Sequence, residues 1–446
     1  TTDMSSAIQS ALAYADNLST TDNSTAYLME NSDYAIGTRI TLNEGYHLNM
    51  NGSQITLLSG IDRGFLVNGN NVILENGSCD CGYISQFLTA TSFTNIIFRD
   101  ITISDPKSRG FAFIDVSNSL IENVGIVFTA SGATSHAAGS ESFYGCLHTS
   151  TSTVLATQHV RVRNFVVDMS QLTAGQMQSL DSCLIIRGEE TVGTNAVGID
   201  VEDCDFRMPE GVLDTTYGSG LPRPTGMEVR QARDVRVRNV KTTGGDLTLS
   251  FGAVLNLSIS DCVSRQQTHY CIELAIDSRD VAVSDCYFES TLSKSPGSLT
   301  AVRRAKLSNC TFAGGLDSTS AVCVVQYTST DTKVMFSNCS FLPLNTGVDG
   351  VKLINGASTS INSCYFFSGQ SGSAGHVHIS SGTAPLVTIS DSAFEGGATR
   401  PVKVTSVVDF LRVNNCDGIG VTLASDLAGG TVTASSLTGN NNLTNL

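Results

Sequence analysis

Between residues 181 and 230 the sequence places Asp181, Glu189, Glu190, Glu210, Asp214 and Glu228 among Arg187 and Arg230. Glycoside hydrolysis needs two carboxyl groups flanking the scissile bond, one an acid and the other a base or nucleophile. Glu228 with Asp181 is the preferred pair, and Glu273 and Asp214 are the further catalytic candidates. Arg187 and Arg230 are suited to gripping a sugar hydroxyl or, with two parallel hydrogen bonds, a sugar carboxylate. Tyr217 offers a flat face on which a sugar ring can stack, and His148 and Glu189 complete the binding candidates. Elimination is the rival chemistry. It takes an acidic sugar, a base such as His148, and a cation such as Arg187 or Arg230 to neutralise the carboxylate. No GxSxG occurs to support a serine nucleophile. His47, His136, His159, His269 and His376 show no metal-ligand spacing, and His376-x-His378 reads as ordinary surface on one strand face. No phosphate-cradling glycine motif is present, so no cofactor and no metal are implied.

Something regular must hold these groups, and the cysteines disclose it. VEDCDF (201–206), VSDCYF (283–288), LSNCTF (307–312), FSNCSF (336–341) and INSCYF (361–366) repeat one phrase. With the Cys position taken as a slot, the phrase runs through Gly77, Ile101, Val124, Phe165, Cys204, Val240, Cys262, Cys286, Cys310, Cys339, Cys364, Ser392 and Cys416. The residue before the slot is Asn or Asp in twelve of these thirteen copies, Ser363 being the exception. Asn and Asp tolerate left-handed backbone angles that other side chains resist, and their side chains bond locally or to a copy stacked above. The flanking Val, Ile and Phe alternate with the period of a strand.

A period near 24 residues, with three short strand-like runs per copy, marks a solenoid of stacked coils. The Leu-rich consensus of leucine-rich repeats is missing. The expected fold is therefore all-β, a parallel β-helix of about 13 coils whose slot cysteines stack as an inward ladder of reduced thiols. Asp3 ahead of Ser5–Ala15 predicts an amphipathic helix that caps the first coil. The expected organisation is a cap helix with entry strands over 1–60, the β-helix over 61–420, and a C-terminal strand and tail over 421–446. Three consecutive slot intervals are long, and their extra residues fall at 129–157, 168–197 and 207–226. Long loops clustered on a regular scaffold are where function resides. Aligning the strand after each loop places His148, Arg187, Glu228 and Arg230, then Glu273, Lys352, His378 and Lys403, in one outward column flooring a groove between those loops.

Composition narrows the partners. The chain has 446 residues, 15% charged and 41% hydrophobic, with 41 Gly, 8 Pro and no Trp, which excludes a disordered polymer. No apolar run is long enough to insert in a membrane. The net charge of −15 argues against nucleic acid, whose binding rests on clustered Lys and Arg. A glycan suits this surface better. Thirteen Cys is odd, so not all can pair within the chain; Cys79-x-Cys81 is the tightest spacing. The Asn-x-Ser/Thr triplets at Asn51, Asn76, Asn309 and Asn338 largely coincide with the repeat's bend. The opening Thr1-Thr2-Asp3 reads as the start of a fragment whose preceding segment is removed.

The AIQSAL helix, the strand and glycine turn leading to NGSQITL, and the coils ending S-N/D-C-x-F resemble the pectate-lyase-like right-handed β-helix superfamily. Within it the chain most resembles the shafts of bacteriophage tailspikes. That resemblance implies a right-handed helix and a homotrimer on the virion tail, attached through a missing N-terminal segment to the tail or baseplate. It also implies binding, and depolymerisation, of a bacterial surface polysaccharide such as capsule or O-antigen. A non-catalytic glycan-recognition protein and a polysaccharide lyase stand as alternatives.

Overall fold

The computed structural model describes residues 2–18, 25–83, 85–130, 143–151, 157–173, 181–188, 195–210, 224–265, 269–290, 295–314, 321–326, 333–344, 348–355, 358–381, 383–384, 386–405, 407–408, 411–419 and 437–439. They form a right-handed parallel β-helix of about 12 turns. The chain divides into two compact units, residues 1–236 with 240–245, and residues 237–239 with 246–446.

In the first unit each coil contributes one long bent strand and one shorter strand. The bent strands Val72–Asp80, Thr94–Ser104, Ser117–Val127 and Gln158–Asp168 pair in parallel. The shorter strands Arg63–Asn68, Gln86–Thr91, Arg109–Ile114, Tyr144–Thr149 and Ser182–Arg187 stack in the same way, and Thr225–Arg238 continues them. This second ladder is the face that carries the candidate site. Its strands run close together at Gly145, where a side chain would lie 2.5 Å from the Cys183 carbonyl, so a larger residue is excluded.

All thirteen positions before the slot are left-handed, from 46° at Asn164 and Asn415 to 60° at Asn76, and Ser363 adopts 52°. Their side chains join successive coils. Asn123 donates to Asp100 at 2.9 Å, Asn164 to Asn123 at 2.8 Å, and Asn309 to Asp285 at 3.0 Å. The slot residue has a second duty. Cys204, Cys262, Cys286 and Cys310 each point the thiol at the carbonyl two residues earlier, at 3.0–3.2 Å. Ser392 makes the same bond with its hydroxyl at 2.8 Å, which explains why serine fills the slot there. The thirteen cysteines are all free thiols, and all but Cys416 are buried.

Two further ladders hold the stack. In the second unit, the phenylalanines two residues past the slot stack as Phe288, Phe312, Phe341, Phe366 and Phe394, with centroids 4.8–5.6 Å apart. In the first, Glu75, Arg99, Glu122, Arg163 and Glu202 occupy one register column with alternating charge. Adjacent opposite charges favour this register over one displaced by a coil.

The helix Ser5–Leu18 forms as expected. Asp3 Oδ1 accepts the Ser5 N–H at 2.9 Å, and Ile8, Leu12 and Ala15 form its buried stripe. Gln9 accepts from the Thr41 N–H at 2.8 Å and donates to the Thr41 carbonyl at 2.9 Å, so one side chain satisfies an exposed strand edge. Of the expected C-terminal strand and tail, Leu437–Gly439 pairs with Leu411–Asn414; the rest lies outside the described residues.

Candidate functional site

On the second ladder of the first unit, one register column reads Thr41, Leu66, Thr89, Ala112, Leu147, Ile185 and Glu228. The next column on the same face reads Thr91, Ile114, Thr149, Arg187 and Arg230. Uncharged residues hold both columns until three charged groups meet at their end. Arg187 Nε donates to Glu228 Oε1 at 2.5 Å, and Arg230 Nε lies 3.1 Å from the same oxygen without the alignment of a hydrogen bond. The Glu228 side chain is 7% exposed, while the two arginines are about a third exposed. Glu228 Oε2 takes no hydrogen bond among the described residues. Three residues on, Gln231 sits at a left-handed φ of 48°, and among the described residues its buried Oε1 has no hydrogen-bond partner.

Taking a carboxylate out of water costs several kcal/mol and is repaid only by well-placed partners. Two guanidiniums do that here. One carboxylate and two guanidiniums gathered on one face are a set suited to a substrate rich in hydroxyl and carboxylate oxygens.

Other candidates fall elsewhere. His148 is not in the outward column. It pairs in register with Ile186, is fully buried, and packs 4.5 Å from the Phe113 ring. Burial pushes its pKa down to about 3, so it is neutral and enclosed and is no base for the outer face. The physical reason is a register slip: Cys146 pairs with Leu184, which places Leu147, and not His148, on the outside. Asp181 is also fully buried. Its Oδ1 accepts the Phe143 N–H at 2.6 Å, which removes it from the position across an open cleft expected of a partner for Glu228. Glu273 belongs to the second unit, where Ser250 Oγ donates to its Oε2 at 3.0 Å. Asp214, Tyr217, Glu189 and Glu190 lie outside the described residues, as does most of the loop sequence expected to wall the groove.

In the second unit, Glu273 shares a register column with Ser298, Val324, Lys352, His378 and Lys403. The reading of His376-x-His378 as ordinary surface is corrected. His376 is 1% exposed and packs between Phe366 and Phe394, at 5.9 and 5.5 Å, and burial lowers its pKa to about 4. His378 is 9% exposed; its Nδ1 meets Asp349 Oδ2 at 2.6 Å and its Nε2 meets Thr405 Oγ1 at 3.0 Å. Sequence reasoning missed Asp349 and Thr405. Their signal was their spacing, one coil to either side of His378.

The fold and this cluster define a right-handed parallel β-helix protein with a buried carboxylate held by two arginines on one outer face. Solved structures match this chain at the level of fold. The surface protein and adhesin PfbA of Streptococcus pneumoniae is 12% identical, with 98% of this chain and 96% of that chain covered and a TM-score of 0.49. The tailspike protein of E. coli bacteriophage HK620, solved with a pentasaccharide, is 12% identical over 98% of this chain and 74% of that one, with a TM-score of 0.43. The A-module of mannuronan C-5 epimerase from Azotobacter vinelandii is 10% identical over 97% and 96%, at 0.38. No protein-family model and no curated protein sequence matches the chain. Among the described residues no helix is long and apolar enough to cross a membrane.

Proposed function

We propose that this chain binds a bacterial surface polysaccharide and cleaves it within the polymer by hydrolysis, with Glu228 as one of two acting carboxyl groups. The supporting observation is the meeting of Glu228, Arg187 and Arg230 in two register columns that are otherwise uncharged in the first unit. Arg187 and Arg230 orient the glycan. The second carboxyl comes from the inserted loops, where Asp214 and Glu189 are the candidates, and Tyr217 stacks a sugar ring. Elimination is less favoured because its candidate base His148 is fully buried. On this reading the chain is the glycan-processing part of a homotrimeric tailspike on a phage tail.

The test is incubation with purified capsules and lipopolysaccharides from candidate hosts. New reducing ends support the proposal. An unsaturated product absorbing in the ultraviolet replaces it with elimination, and retention without cleavage reduces it to binding. A mass measurement in solution tests the trimer.

A further inference from the structure

In the second unit a carboxylate, an imidazole and a hydroxyl stand in line across three successive coils. Asp349 is 7% exposed; its Oδ1 accepts the Gly375 N–H at 2.8 Å and its Oδ2 meets His378 Nδ1 at 2.6 Å. The far nitrogen, Nε2, lies 3.0 Å from the hydroxyl of Thr405, an exposed residue whose oxygen also lies 3.2 and 3.3 Å from the Ser380 and Ile379 carbonyls. The carboxylate fixes the imidazole with its proton on Nδ1, which leaves the Nε2 lone pair toward the hydroxyl. That is the order of roles an activated hydroxyl nucleophile requires: base within hydrogen-bond reach, and the base oriented by a third group. Lys352 and Lys403 pair in register with His378 on the neighbouring strands.

A second imidazole in the chain provides a contrast. His47 lies between Thr25 and Glu75 at 2.6 and 2.8 Å, but the hydroxyl is on Nδ1 and the carboxylate on Nε2. Glu75 is also neutralised there by Arg99 at 2.5 Å and bonded by Asn49 at 2.8 Å. That carboxylate is consumed by its neighbours. Among the described residues, Asp349 has no cation on it other than the imidazole it orients.

We propose that Thr405, His378 and Asp349 form an esterase site that hydrolyses acyl esters, independent of the Glu228 cluster. Thr405 Oγ attacks the ester carbonyl carbon while its proton passes to His378 Nε2. The bond from that carbon to the alcohol oxygen then breaks, and the alcohol leaves with the proton from His378. Water attacks the acyl-threonine and gives a proton to His378. The carboxylic acid departs, and Thr405 regains its proton from His378. Ester and water thus give acid and alcohol, and the site is restored. Thr405 and His378 touch the reacting atoms; Asp349 is a positioning residue.

The probe is 4-nitrophenyl acetate, applied to the full chain. The expected result is nitrophenol release above the buffer rate, with an acetyl adduct mapped by mass spectrometry to the peptide containing Thr405. Thr405→Val should lower the rate about 100-fold or more, while Thr405→Ser retains it. Asp349→Asn should lower kcat with KM unchanged. Thermal melts of each variant separate lost chemistry from lost folding. Release no faster than buffer, a rate untouched in a folded Thr405→Val variant, or an adduct confined to other residues overturns the proposal.

Discussion

Glu228, His148 and His376 show how far a single side chain's environment can depart from what its type leads one to expect. Each is a polar group on a strand, and each is buried; only Glu228 has charged partners to make burial tolerable. His376 has rings for neighbours, and among the described residues its Nε2 has no hydrogen-bond partner. Its folded pKa is about 4 against an ordinary 6.5, so the native state resists a proton that the unfolded chain accepts. Its contribution is therefore fully present above pH 6.5 and is lost as pH falls toward 4, by about 2 kcal/mol at pH 5. His376→Phe would extend the aromatic ladder and remove the buried unpaired nitrogen. Denaturant unfolding should show this variant at least as stable as the parent at pH 7, with the advantage growing at pH 5. An advantage that stays constant with pH would mean that His376 is protonated in the native state.

Within the coil, the recurring bend is the element that makes the repeat. Asn309, at φ 53°, donates to Asp285 and precedes a slot cysteine that satisfies the Ser308 carbonyl. Asn309→Ala should cost about 1–2 kcal/mol, since alanine resists the left-handed angle and drops the inter-coil bond. Asn309→Gly should recover the part due to backbone angle, and chemical denaturation of the two variants separates the contributions. This element was legible in the sequence because the demand for Asn or Asp recurs at one position of every coil, and Ser363 obeys the same geometry. The third-run strands were less legible. Leu147 is apolar and half-buried, and its register partner Ile185 is apolar and buried, so alternation gave no contrast at Tyr144–Thr149, and the alignment slipped by one residue at His148. Arg187 and Arg230 were aligned correctly because a charged residue can only end a strand like Ser182–Arg187 on its outer face.

Across the molecule, the ladders divide the work. Stacked Asn and Asp side chains fix the bends, thiols and phenyl rings fill the interior, and alternating charges on the first unit set register. Twelve of the thirteen thiols are buried, and burial pushes Cys146, Cys183 and Cys323 well above the usual thiol range. A thiol reagent applied to the native protein at neutral pH should therefore modify Cys416 first and the others only after unfolding. Rapid reaction of many thiols would show that the coils open. The odd cysteine count, a puzzle when disulfides are considered, follows from a slot that accepts Cys, Ser or an apolar residue as its neighbours require. The site was legible as residue types on one face, but its carboxyl partner was not, because Asp181 is spent on the Phe143 backbone.

The most direct test of the central claim is cleavage of a recognised surface polysaccharide by the parent chain and by Glu228→Gln, followed by reducing-end release and polymer size. The parent should shorten the polymer. Glu228→Gln should slow cleavage about 100-fold or more while the protein still retains the glycan. Undiminished cleavage by a folded Glu228→Gln variant would contradict the claim.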